Sequence, residues 1–123
     1  MAKIMIVDDD PEICNLLQYT LESMGHNIKI CDNGREVIET LKEFKPDLMI
    51  LDVMLPGIDG YSIATTISQE EGLSQIPIIV ISALEPSRSL FIKFNQVVAF
   101  LTKPFNTDDL FEAIKNGLKK RVG

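Results

Sequence analysis

Five short apolar runs, each followed by a segment of helical periodicity, constrain this chain more than any other feature. The runs are KIMIV (3–7), NIKIC (27–31), DLMIL (47–51), IPIIVIS (76–82) and VVAFL (97–101). They are rich in Ile and Val and mostly continuous, the pattern of strands covered on both faces of a parallel sheet. NIKIC alternates more, as an edge strand does. Between the runs, the residues read as helices. Asp10 can cap the first, with Pro11 at its first position, where a missing N–H costs nothing. Ile13, Leu16, Leu17, Thr20, Leu21 and Met24 then share a face, and Gly25 can end the helix. Asn33 and Glu36 resemble a capping box before a stripe of Val37, Ile38 and Leu41, and Pro46 follows that helix. Asp59 can cap a third helix carrying Ile63, Ala64 and Ile67. A fourth starts near Pro86, with Leu90, Phe91 and Phe94. Asn106 can cap the last, which has Asp108 and Asp109 in its first turn and a stripe of Leu110, Ala113, Ile114 and Leu118.

Five βα units in strict alternation predict one α/β domain over residues 1–123, a doubly wound parallel sheet with helices on both faces. The length suits a single core. In such sheets the working crevice lies beyond the carboxyl ends of the strands. Asp8 and Asp9 follow the first run, Asp52 the third, Ser82 ends the fourth, and Lys103, then Pro104, follow the fifth. Each of these residues alone is ordinary: an Asp after a strand is usually a loop acid, and a Lys is usually solvated. Their convergence on one edge carries the reading.

Three carboxylates on one edge repel, by roughly 4 kcal/mol for a pair about 4 Å apart at an effective dielectric near 20. Lys103 supplies one positive charge. Oxygen donors without His or Cys call for a hard divalent cation, Mg²⁺ or Mn²⁺ rather than zinc. A carboxylate left partly free can then act as a nucleophile toward phosphorus, with the metal, Lys103 and the Ser82 hydroxyl each taking a phosphoryl oxygen.

The remaining composition narrows the function by exclusion. A net charge of -6 argues against direct nucleic-acid binding, because phosphate backbones must be neutralised by Lys and Arg. No apolar run approaches the roughly 20 residues of a membrane span, and the first residues lack a secretory signal. Cys14 and Cys31 form neither a metal-ligand spacing nor a disulfide framework; with no targeting signal they suggest a cytoplasmic location and packed thiols. His26 has no visible partner in the sequence.

The motifs IVDDDPEI, DLMILDVMLPGIDGY, IIVISA and FLTKPF resemble the receiver domain of two-component response regulators, in order and across essentially the whole chain. The resemblance implies a flavodoxin-like sheet of order 2-1-3-4-5 with five helices. It implies that Asp52 accepts phosphate from a sensor histidine kinase or phosphotransfer protein, with Asp9 ligating Mg²⁺ directly, Asp8 through water, and Met54 through its carbonyl. Ser82 and Lys103 would bind the phosphoryl group, and the Lys103–Pro104 bond would be cis. Phe100 would follow Ser82 as the switch aromatic. The surface of the fourth helix, fifth strand and fifth helix would then signal to an effector or output domain, or form a homodimer. Such a domain is no enzyme beyond promoting its own phosphorylation and dephosphorylation.

Three departures from the family pattern matter. Gln96, Val97, Val98 and Ala99 stand where the family commonly has Gly-Ala and polar residues. With Phe91 and Phe94 they suggest either extra core or an apolar interface. Met54 and Leu84, the positions that tune dephosphorylation, are apolar, which predicts slow loss of phosphate. Nothing in residues 1–123 reads as an output domain, which suits a stand-alone receiver or one cut from a longer regulator or hybrid kinase. Two rivals fit less well. A haloacid-dehalogenase-type phosphatase needs a second Asp where Met54 stands, and an FMN carrier needs a neutral phosphate loop where DDDPE stands. A receiver that signals without phosphate would not need the full set of residues.

Overall fold

The computed structural model describes residues 2–53, 60–82, 94–103 and 105–120. Five parallel strands, β1 (Lys3–Val7), β2 (Asn27–Cys31), β3 (Leu48–Asp52), β4 (Ile78–Ser82) and β5 (Val97–Thr102), form one sheet in the order β2-β1-β3-β4-β5. The described helices are α1 (Pro11–Ser23), α2 (Val37–Phe44), α3 (Gly60–Gln69) and α4 (Thr107–Lys120). The helix expected near Pro86, and the cap expected at Asp59, lie outside the described residues. NIKIC is an edge strand as expected, with the exposed Lys29 blunting that edge.

Strand parity explains why the apolar runs are continuous. Ile4, Ile6, Leu48, Ile50, Ile79 and Ile81 fill the core shared with α1 and α4. Met5, Val7, Met49, Leu51, Ile78 and Val80 fill the opposite core, shared with α2 and α3. A strand with a core on each face has no polar position to alternate with.

Helix α1 corrects one expectation. Its buried residues are Cys14, Leu17 and Leu21, while Leu16 and Met24 are 55% and 56% exposed. The helix is rotated so that the small thiol of Cys14, rather than Leu16, meets the sheet. Gly25 follows the helix with a φ of 93°, the left-handed conformation glycine adopts without penalty. A 3₁₀ turn over Gly34–Glu36 precedes α2, with the Asn33 side chain accepting from the Glu36 N–H at 3.2 Å. The cap is therefore real, but it starts a tighter turn than the sequence suggested.

Strand β5 is half-buried throughout. Its pairing with β4 shifts between Ile78 and Ile79, which face Val97 and Ala99, leaving Val98 as an extra residue. Val98 and Ala99 consequently both pack on the α1–α4 core, and Val97 and Phe94 on the other. The apolar departures at Phe94, Val97 and Val98 thus contribute core contacts; Phe91 lies outside the described residues. Gln96 is buried and donates through Nε2 to the carbonyls of Leu73 and Ile76, at 3.2 and 2.8 Å, tying the turn after α3 to the entry of β5.

Helix α4 approaches the sheet closely at Gly117. A Cβ there would lie 2.6 Å from Leu48 Cδ1 and 3.2 Å from Val98 Cγ2. Gly117→Ala gains about 1 kcal/mol of helix propensity but overpacks the core, at about 1–3 kcal/mol. Urea unfolding is expected to show a net loss on the order of 1 kcal/mol; a stabilised variant would mean that the helix moves aside freely.

Candidate functional site

The parallel register aligns Val7 with Leu51, so the residues after β1 and at the end of β3 emerge side by side. Asp8 and Asp52 occupy those positions and are 2% and 3% exposed. On the other side, the Lys103 N–H donates to the Ser82 carbonyl at 2.8 Å, which brings Lys103 back over the same edge. Its Nζ lies 3.0 Å from Asp52 Oδ2 and 3.3 Å from Asp8 Oδ2. Ser82 is completely buried at the end of β4.

The corner after β1 is held by backbone groups. The Asp8 N–H donates to the Cys31 carbonyl at 3.2 Å. Asp10 caps α1 as expected, its carboxylate accepting from the Glu12 N–H at 3.0 Å. Its own N–H donates to Asp8 Oδ1 at 2.9 Å. The Cys14 thiol donates to the Asp8 carbonyl at 3.3 Å. Sequence reasoning missed the last two contacts. Asp10 was legible only as a cap, and Cys14 only as a packed thiol, because backbone acceptors leave no signature in a sequence.

The electrostatics follow from burial. Loss of water and the nearby Asp52 charge push the Asp8 carboxyl up to about 6, although the Asp10 N–H and Lys103 oppose the shift. Burial alone would lower the Lys103 ammonium, but the hydrogen bond and charge of Asp52, with the charge of Asp8, outweigh it and raise it. Both carboxylates therefore meet a firmly protonated cation. Burial also pushes the Cys14 thiol up to about 11 and raises that of Cys31; the two belong to opposite cores. His26 does have a partner: its Nδ1 accepts from the Ala2 N–H at 3.2 Å, and burial lowers its pKa.

Asp8, Asp9 and Asp52 offer carboxylate oxygens that all lie within 4.8 Å of one another. Three acids against one ammonium, with two of them withdrawn from water and no nitrogen or sulfur donor among them, suit a hard divalent cation. Asp9 is the exposed member. Of the expected residues, the structure brings Asp8, Asp9, Asp52, Ser82 and Lys103 to one edge. Phe100 is half-buried against the core beside α2 and α3. Met54, Leu84 and Pro104, and with it the Lys103–Pro104 peptide, lie outside the described residues.

Comparison with known proteins agrees with this geometry. Residues 4–115 match the family model of the response regulator receiver domain. The alkaline phosphatase synthesis transcriptional regulatory protein PhoP of Bacillus subtilis is 31% identical over 125 residues, covering 96% of this chain and 49% of that protein. The chain spans about half the length of the curated relatives it matches. Among solved structures, the response regulator TrrA of Thermotoga maritima, determined in complex with Mg²⁺-BeF, is 32% identical with a TM-score of 0.83, covering 95% of this chain and 99% of that one. The receiver domain of a signal transduction histidine kinase from Syntrophus aciditrophicus is 31% identical with a TM-score of 0.85, covering 100% and 96%. A family match over nearly the whole chain, on the fold and acidic edge described above, makes this chain a member of the response regulator receiver domains, the phosphoacceptors of two-component signalling.

Proposed function

We propose that Asp52 is the phosphoacceptor, taking a phosphoryl group from the phosphohistidine of a sensor histidine kinase or phosphotransfer protein. The observation that carries this reading is the placement of Asp52 at the end of a central strand, buried, with Oδ2 held 3.0 Å from Lys103 Nζ. In the transfer, an Asp52 carboxylate oxygen attacks phosphorus, the P–N bond breaks, and the imidazole leaves. Lys103 neutralises charge on the phosphoryl oxygens, and the Ser82 hydroxyl donates to one of them. Phe100 moves with Ser82, biasing a two-state equilibrium that the partner reads.

Asp8, Asp9 and Asp52 would hold Mg²⁺, or Mn²⁺ in its place, together with the Met54 carbonyl as the family resemblance implies. When bound, the metal supplies the positive charge that the phosphoryl oxygens require. Asp8 and Lys103 keep the acceptor carboxylate oriented before the donor arrives. The domain promotes only its own phosphorylation and dephosphorylation, the latter slowly because Met54 and Leu84 cannot hydrogen-bond an attacking water. Its output passes through the fourth predicted helix, β5 and α4 to an effector, an output domain or a second copy. No described helix is long and apolar enough to cross a membrane, and the proposed location is the cytoplasm. The whole of 1–123 is proposed to act as one domain.

Incubation with acetyl phosphate should label the protein in the presence of Mg²⁺ and not with a chelator. Calorimetric Mg²⁺ affinity should fall as pH drops through about 6, where Asp8 takes up a proton that competes with the metal. Labelling undiminished by chelation, or metal affinity flat between pH 5 and 8, would contradict the site.

A further inference from the structure

We infer that Cys14 is a positioning residue for the metal ligand Asp9, acting through the peptide that joins Asp8 to Asp9; the inference rests on the proposed metal site. The Asp9 side chain is exposed and makes no hydrogen bond or ion pair among the described residues. Its direction therefore depends on the backbone that carries it. The Asp8 carbonyl and the Asp9 N–H belong to one planar unit, so whatever holds the carbonyl oxygen orients the Asp9 Cα. The Cys14 thiol holds that oxygen, at 3.3 Å.

The thiol is itself fixed. The Cys14 N–H donates to the Asp10 carbonyl at 3.0 Å in the first turn of α1. The side chain is 5% exposed and packed in the core with Leu17 and Leu21. The S–H group is the donor in this contact. The other connections of the corner involve Asp8: its N–H to the Cys31 carbonyl, Oδ1 to the Asp10 N–H, and Oδ2 to Lys103. Cys14 supplies the connection at the Asp8–Asp9 peptide, and a larger apolar residue there could pack but not donate.

The test compares Cys14→Val, which removes the donor and adds about one methyl group of volume, with Cys14→Ser, which keeps a donor. Leu17→Ala serves as a control that loosens the same core away from the site. Two readouts are used: Mg²⁺ affinity by calorimetry, and hydrogen exchange of the Asp10 amide in the metal-free protein. Cys14→Val should weaken Mg²⁺ binding about three- to tenfold and speed Asp10 exchange. Cys14→Ser should stay within about twofold of wild type, and Leu17→Ala should lower Tm without changing either readout. Wild-type values of both in Cys14→Val, or equal losses in Leu17→Ala, would overturn the assignment. Absence of Mg²⁺ binding in the wild type would overturn the metal site, while Asp10 exchange would still judge the Cys14 link separately.

Discussion

Asp52→Asn should reduce labelling by acetyl phosphate or a histidine kinase to background, a loss of more than about 100-fold. The amide matches the carboxylate in size but has no anionic oxygen to attack phosphorus. The fold should survive, because the substitution also removes one of two buried negative charges that face a single ammonium. Thermal unfolding without metal should therefore show a Tm equal to or above that of the wild type. Wild-type labelling of this variant would move the acceptor elsewhere; a large drop in Tm would mean that Asp52 is primarily structural.

Removing the cation should have the opposite effect on stability. In Lys103→Met the buried Asp8 and Asp52 lose their shared partner. Breaking a buried pair from one side typically costs about 3–5 kcal/mol; with the Lys103 side chain 23% exposed, a loss on the order of 2–3 kcal/mol at pH 8 without metal is expected. The pH dependence has a definite sign. The folded-state pKa of Asp8, about 6, lies above the ordinary value of 3.8 that it has in the unfolded chain. Its proton therefore favours the native state at low pH, and this contribution is lost as pH rises through about 6. Without Lys103 the carboxyl should rise further, so the penalty should shrink between pH 8 and pH 5. Urea unfolding of both proteins at the two pH values, with chelator, checks this. An equal loss at both would show that Lys103 acts through packing rather than charge.

Most of the fold could be read from the sequence because strand parity and helix caps are local. KIMIV and NIKIC match β1 and β2, and Asp10 and Asn33 cap where expected. The site was legible for a related reason. In a parallel sheet, residues that end different strands share one edge whatever their distance in the chain, so Asp8, Asp52, Ser82 and Lys103 could be placed together. What depended on tertiary packing could not be read. The rotation of α1 that buries Cys14 and exposes Leu16 reflects the close fit of a thiol beside Asp8. The extra residue at Val98 lies where α4 comes close to the sheet at Gly117, a contact between distant parts of the chain. Gln96, a departure from the family pattern, became intelligible only once its two carbonyl partners were seen.

Chemical mapping tests directly the proposal that Asp52 itself carries the phosphoryl group. The protein is phosphorylated with acetyl phosphate and Mg²⁺ and reduced with borohydride, which converts an aspartyl phosphate to homoserine. Proteolysis and mass spectrometry then locate the change. Homoserine is expected at position 52, with none in the Mg²⁺-free control; homoserine at Asp8 or Asp9, or none anywhere in a labelled sample, would rule out Asp52 as the acceptor.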